Sequence, residues 1–276
     1  LGGKHSKESL VRKEWEPMEF SRGILTTDTR EKRIACEVQL GGTKKFRFSA
    51  CAKGAGMIHP NMATMLAFIT TDLKLNQAQC QKVLSQSILG TFNQVTVDGD
   101  TSTNDSAFLL ASGASGVKIG DGATMDEVQE IVDTMTAYLA KEVARDGEGA
   151  TKLITVTASG AANLLEARQA ARTVASSLLF KTAVFGGDPN YGRILVALGN
   201  AGLGLRPEKT EVSFAKIPLF QKNKVQEKNI PKAAAYLKDN KHIEVNVDLG
   251  RGTHSASAWT CDISYDYVKI NGEYTT

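Results

Sequence analysis

Residues 53–72, KGAGMIHPNMATMLAFITTD, pass from a glycine-rich loop through His59-Pro60-Asn61 into an apolar run from Met62 to Thr70. Bounded by turn residues and rich in small and β-branched side chains, the run reads as a buried strand, with a helix as the competing reading. Just upstream, Ile34, Cys36, Val38 and Leu40 alternate with polar residues, Gly41-Gly42 follows, and Phe46, Phe48 and Ala50 alternate again. Two such runs joined by Gly-Gly predict a hairpin that feeds the glycine-rich loop.

Downstream the period changes. Leu73, Val83, Leu84, Ile88 and Phe92 on a polar background predict an amphipathic helix over 73–92. Val128, Ile131, Val132, Met135, Leu139 and Val143 predict another over 126–145, opened by a Thr124-x-x-Glu127 capping box and stopped at Asp146-Gly147. Ile154, Val156 and Ala158 alternate as a strand, and Ala162 to Lys181 reads as one helix. Strands are expected at Arg193–Leu198, Glu211–Lys216, Ile243–Leu249 and Ser257–Ile263, and Pro231 opens a helix reaching Asp239. Strands and helices mix throughout, which places the chain in the α/β (mixed α+β) class. No internal repeat or low-complexity linker interrupts the pattern.

Composition excludes several classes. The 276 residues are 42% apolar and 23% charged, with 33 Lys+Arg against 30 Asp+Glu. This is a soluble globular balance, unlike that of a disordered chain, a collagen or a disulfide scaffold. A net charge of +3 is too small and too interspersed to point to nucleic acid or an anionic membrane as partner. Cys36, Cys51, Cys80 and Cys261 show no CxxC spacing, which fits a reducing compartment. No run of 18 apolar residues occurs, and the charged first 33 residues lack the apolar core of a signal peptide. The chain begins with Leu1, from which we expect that its true beginning is missing.

Common motifs fail on inspection. GGDPNYGRI (186–194) has Arg193-Ile194 where a phosphate loop needs Lys and Ser/Thr. In Gly113-Ala114-Ser115-Gly116 the second glycine comes one place too early for a nucleophile elbow. His5, His59, His242 and His254 lack metal-ligand spacing, and no glutamate closes Asp98–Asp105 as a calcium loop. A tightly hydrogen-bonded turn is the plainer reading of that last segment.

Ala63-Thr64 offers a different chemistry. A threonine hydroxyl is a weak nucleophile unless a base adjoins it, and a threonine at a chain start has its own α-amine for that purpose. Such an amine titrates at about 7.7–8.0 and can accept a proton near neutral pH. Making the terminus internally requires the hydroxyl to attack the preceding carbonyl and the resulting ester to be hydrolysed; a small Ala63 would leave that carbonyl accessible. Taken alone, a threonine beside an alanine in an apolar strand is ordinarily packing.

The wider pattern decides between these. KGAGMIHPNMATMLAFITTD resembles the cleavage and nucleophile segment of the bifunctional ornithine acetyltransferase (glutamate N-acetyltransferase) family of arginine biosynthesis. GILTTDT (23–29), TVDGDTSTND (96–105), DGEGATK (146–152), FGGDPNYGRI (185–194), SASAWTCDISYDYVKIN (255–271) and NGEYTT (271–276) resemble further family segments, in family order. The likeness runs from about residue 22 to the last residue. It implies a DmpA/ornithine-acetyltransferase-like layered α/β sandwich with an N-terminal-nucleophile-type threonine.

The same resemblance implies the roles. Thr64 resembles the catalytic nucleophile, with self-cleavage between Ala63 and Thr64, and the family's substrate-binding positions fall on Thr27, Lys53, Thr64, Glu148, Asn271 and Thr276. These types suit an ornithine-like ligand, since Glu148 can pair with an ammonium while Lys53, Asn271 and the threonines hold a carboxylate. Without the resemblance, Glu148 reads as a surface acid beside a helix and Lys53 as a solvated lysine. The implied reaction is ping-pong acyl transfer: acetyl moves from N-acetylornithine to Thr64 and then to glutamate. No metal and no cofactor are implied, although some members also take acetyl-CoA as acetyl donor. The cleaved chains are implied to stay together and assemble as an α2β2 heterotetramer.

Departures and alternatives follow from the same comparison. Gly187 stands where many relatives have a basic residue, and Tyr191 where tryptophan is common. Nothing in residues 1–26 resembles the STGVIG-like segment whose Thr-Gly pair stabilises the oxyanion, and losing one such donor can cost about 10²–10³ in rate. The expected organisation is residues 1–63 as a curtailed α part and 64–276 as the β part. Two other readings stay open: an N-terminal-nucleophile aminopeptidase or amidase, and a non-catalytic remnant of the family. A bacterial cytoplasm is the expected compartment, with mitochondrion or chloroplast as the eukaryotic alternative.

Overall fold

The computed structural model describes residues 18–40, 44–60 and 65–274. A short helix α1 (Met18–Gly23) precedes strands β1 (Lys32–Gln39), β2 (Lys45–Lys53) and β3 (Leu66–Thr71), helix α2 (Gln77–Gly90), strand β4 (Ser106–Ala111) and the long helix α3 (Met125–Arg145). These strands form a four-stranded sheet in the order β1-β2-β3-β4, antiparallel except for the parallel β3/β4 pair. The expected hairpin is present, with Lys32 opposite Ala52 and Gln39 opposite Lys45. Alternation on β2 buries Phe46, Phe48, Ala50 and Ala52 on one side, against α3. The other side carries the partly exposed aromatics Phe68 and Phe108, stacked at 5.3 Å, with Phe20 of α1 edge-on to Phe68 at 5.0 Å.

The second half contains β5 (Leu153–Ala161), α4 (Leu164–Ser176), α5 (Leu178–Phe185), α6 (Tyr191–Asn200), β6 (Glu211–Phe214), β7 (Ile217–Gln221), β8 (Lys224–Val225), α7 (Ile230–Asp239), β9 (His242–Asp248), β10 (His254–Cys261) and α8 (Tyr265–Glu273). Its six-stranded sheet runs β10-β5-β9-β6-β7-β8. One core lies between the first sheet, α2 and α3; the other gathers Val156, Val174, Phe180, Ile194, Phe214 and Val245 around the second sheet. Helix α3 bridges the halves, because it buries Val128, Val132, Met135, Leu139 and Val143 and touches β1, β2, β5 and β10. The capping box at Thr124 and Glu127 and the stop at Asp146 are formed as expected. Among the described residues no helix is long and apolar enough to cross a membrane. The architecture is mixed α+β with two sheets.

Three expected elements are corrected. Arg193–Leu198 is not a strand but lies in α6, which Asn190 caps by accepting from the Arg193 N–H. Ile194, Ala197 and Leu198 are its buried face, a helical i, i+3, i+4 set that the continuous apolar run concealed. The single helix over Ala162–Lys181 is two: Ser177 takes an extended conformation, ends α4, and caps α5 by accepting from the Phe180 N–H. The helix expected over 73–92 is confined to α2, whose Asn76/Gln79 capping box sets its start. Strand β4, the β7/β8 hairpin and α8 were not anticipated.

Candidate functional site

The loop that leaves β2, residues 53–60, is held on every side. Gly54 has φ +145°, in the region that favours glycine, and a Cβ there would meet Ile58 Cδ1 at 2.8 Å. The Gly54 N–H donates to Asp28 Oδ1 at 2.7 Å, and Lys53 Nζ lies 3.4 Å from the Thr26 hydroxyl. The Met57 and Ile58 N–H groups donate to the two oxygens of Asp98 at 2.6 and 3.0 Å, which accommodates the left-handed Met57 (φ +53°). Burial raises the Asp98 carboxyl despite these bonds. Behind it, the wholly buried Lys181 donates to the Val97 carbonyl, its ammonium pushed toward the neutral form by desolvation. The Asp98–Asp105 segment is thus a brace for the loop, in keeping with a hydrogen-bonded turn.

A buried charge cluster fixes the facing segment. Lys32 Nζ lies 2.5 Å from Asp28 Oδ1 and 2.5 Å from Asp146 Oδ2, with the side chains of Lys32 and Asp28 wholly inaccessible to solvent. Asp146 also receives the Thr29 N–H at 3.1 Å and its hydroxyl. The cluster ties the TTDT segment to the C-terminus of α3, and the next residues of that terminus are Gly147 and Glu148. Gly147 cannot be enlarged, since a Cβ would stand 2.6 Å from Cys261 Sγ.

Glu148 completes the arrangement. Its N–H donates to the Ala55 carbonyl at 2.9 Å, and its carboxylate covers Gly56 so closely that a Cβ on Gly56 would lie 2.4 Å from the carboxylate carbon. Asn271 Nδ2, on α8, donates to Glu148 Oε2 at 3.0 Å and to the Tyr267 carbonyl at 3.0 Å. Helix α8 is pinned at its start: Ser264 accepts from the Asp266 and Tyr267 N–H groups and donates to the Gly149 carbonyl at 2.6 Å. Gly149 takes φ +67° where a Cβ would strike Tyr267 N at 2.3 Å, so only glycine allows this approach. Burial, with Asp98 and Glu148 nearby, pushes the Tyr267 hydroxyl up to about 12, which keeps it protonated.

Of the residues expected from sequence, Lys53, Glu148 and Asn271 come together around this one loop. Thr27 is exposed, and the hydroxyl that meets Lys53 is that of its neighbour Thr26. Ala63, Thr64 and Thr276 lie outside the described residues, as does Met62 of the expected strand. Their flanks are defined: Lys53 pairs with Leu66, the second residue after Thr64, and the Met65 carbonyl accepts from the Ser106 N–H at 2.8 Å. On the near side, Arg172 Nη2 donates to the His59 and Pro60 carbonyls at 3.1 and 2.7 Å. Burial, helped by Arg172, lowers His59 to about 4, so its ring is neutral near pH 7. Gly187 takes φ +74° with open space around it, and Tyr191 stacks on Phe220 at 6.0 Å. The ion cluster of Asp28, Lys32 and Asp146 went unrecognised in the sequence; the acids inside TTDT and DGEGATK were the available signal.

A family model described as the ArgJ family matches residues 4–276. The chain belongs to the ArgJ family. The arginine biosynthesis bifunctional protein ArgJ of Listeria monocytogenes serovar 1/2a is 44% identical over 271 residues, covering 98% of this chain and 68% of that protein. The glutamate N-acetyltransferase of Methanopyrus kandleri is 45% identical over 262 residues, covering 94% of this chain and 66% of that protein. The crystal structure of ArgJ from Bacillus halodurans matches with a TM-score of 0.73 at 39% identity, covering 76% of this chain and all of that one. This ArgJ-family chain therefore spans about two thirds of the length of the curated relatives just named. The family is the one the sequence motifs resembled.

Proposed function

We propose that this chain is the nucleophile-bearing part of an acetyltransferase of arginine biosynthesis, which moves acetyl from N2-acetyl-L-ornithine to L-glutamate. Thr64 first attacks the Ala63 carbonyl through its hydroxyl, and water cleaves the ester, leaving a threonine with a free α-amine. That amine then takes the hydroxyl proton as Thr64 attacks the acetyl carbonyl, and returns it to ornithine as the amine departs. The α-amine of glutamate attacks the acetyl-threonine ester in turn, forming N-acetylglutamate and restoring the hydroxyl.

One observation carries this reading: the loop after β2 gathers Lys53, Glu148 and Asn271 while Lys53 stands opposite Leu66, two residues past Thr64. A cationic side chain and a carboxylate around one loop that is close in sequence to the nucleophile suit a zwitterionic amino-acid substrate. Glu148 pairs with the ornithine ammonium; Lys53, Thr27, Asn271 and Thr276 hold the carboxylate. The six register pairs between β2 and β3 would keep both parts in one sheet after cleavage; an α2β2 heterotetramer is the proposed assembly. Acetyl-CoA is a further donor for the same nucleophile, and the cytoplasm is the proposed compartment.

Intact mass spectrometry tests the first step. Two species meeting at Ala63/Thr64, absent from Thr64→Ala, are expected; a single persistent chain would overturn self-cleavage. Consumption of N-acetylornithine is then followed with and without glutamate. Transfer requires glutamate, whereas acetate release indifferent to glutamate would identify a hydrolase instead.

A further inference from the structure

A cavity of about 560 Å³ opens between the C-terminal end of α2, the following turn and one face of α4. Its size is that of small-molecule sites, roughly 300–1,000 Å³. Arg168 and Arg172 line it from successive turns of α4, with Asn93, Gln94, His59 and Thr173 around them. The positions i and i+4 place both guanidinium groups on one face. No Asp or Glu is among the lining residues, and neither arginine pairs with a carboxylate among the described residues. Asn93 and Gln94 are each more than nine-tenths buried, yet Asn93 Oδ1 and Gln94 Oε1 have no hydrogen-bond partner there, nor has Arg172 Nε. Buried polar atoms left without partners are rare in folded proteins and call for an occupant.

We propose that this cavity is a binding site for a small anion bearing a carboxylate or phosphate group, held between Arg168 and Arg172. The planar fork of arginine suits both groups, and the unpartnered Arg172 Nε–H is a further donor to them; the Asn93 and Gln94 side-chain oxygens accept, so they meet a hydroxyl of the ligand, as on hydrogen phosphate, and not its anionic oxygens. The site differs from the one around Lys53 and does not rest on the acetyl-transfer reading. It does adjoin that region, because Arg172 also grips the His59 and Pro60 carbonyls at the entrance to the Thr64 segment. An occupant near Arg172 is thereby in mechanical contact with the chain leading to the nucleophile.

Isothermal titration of the 276-residue chain with sodium phosphate and, separately, sodium succinate, at ionic strength fixed by chloride, tests the proposal. One saturable site per chain is expected for at least one anion, and the tighter of the two identifies the ligand class as phosphate or dicarboxylate. Arg168→Gln should weaken binding at least tenfold and Arg168→Lys by a few-fold, since lysine keeps the charge but loses the fork. Lys53→Gln, in the loop site, and Arg206→Gln, an exposed arginine outside the lining, should leave it unchanged. Absence of saturable binding with either anion would overturn the proposal. So would equal weakening by Arg168→Gln and Arg206→Gln, or loss of binding in Lys53→Gln.

Discussion

Lys32 meets Asp146 at 2.5 Å although 114 positions separate them, in a place from which solvent is shut out. The contact joins the first strand of one sheet to the end of the helix that bridges both cores. With Asp28 on the other side of the same ammonium, it determines where Gly54 and Glu148 stand.

Breaking one member of a buried ion cluster leaves the others uncompensated, at a cost of about 3–5 kcal/mol. Lys32→Met should lower the urea midpoint of the chain accordingly, whereas Lys44→Met, in an exposed pair with Asp121, should cost less than about 1 kcal/mol and leave the midpoint nearly in place. Burial works to raise the Asp28 carboxyl, but the Gly54 N–H and Lys32 outweigh it and hold the group below 3.8. A carboxyl with a depressed folded pKa contributes stability that is full above its unfolded pKa and lost as pH falls through the folded one. Urea midpoints should therefore decline below about pH 4.

His59 gives a second pH limb. Its folded pKa is about 4 against an ordinary 6.5, so the unfolded chain binds the proton first as pH falls. Stability is full above pH 6.5 and declines between 6.5 and about 4; discounted for a half-buried ring, the loss is on the order of 2 kcal/mol. His59→Asn should flatten this limb of the urea-midpoint profile while leaving the limb below pH 4 in place.

Gly56→Ala drives a methyl group into the Glu148 carboxylate. On the proposed function, displacing Glu148 removes a charge-assisted hydrogen bond to the substrate ammonium, about 1.5–3 kcal/mol. KM for N-acetylornithine should rise by at least roughly tenfold, by the same conversion. Gly23→Ala, where nothing lies within 4 Å, should leave KM unaltered.

The β2/β3 ladder predicts the behaviour of a cleaved chain. Six residue pairs and a shared core join the segments on either side of Ala63/Thr64. After cleavage the two parts should elute together from size-exclusion chromatography in native buffer and separate only in denaturant.

The sequence was most informative where a period is strict. Alternation on β1 and β2 and the 3.6-residue spacing of α3 were legible because one face of each meets a core and the other does not. The Ile194–Leu198 run was misread as a strand because a short, uninterrupted apolar segment carries no period, and only the Asn190 cap distinguishes helix from strand there. Lys53, Glu148 and Asn271 were singled out through motif likeness alone, and the contact of Lys53 with the Thr26 hydroxyl left no signal in the sequence. The Asp28–Lys32–Asp146 cluster was not legible, since its Asp146 contact is made only when the chain has folded.

The aromatic side of the first sheet has a practical outcome. Phe20, Phe108 and Leu110 are each about half exposed, and Phe68 lies between the two phenylalanines. Contiguous apolar surface of this kind limits the concentration at which a protein stays dispersed, while adding little to its melting temperature. Solubility and thermal stability should thus be separable in this chain: polar replacement of Phe108 would raise the first and leave the second nearly unchanged.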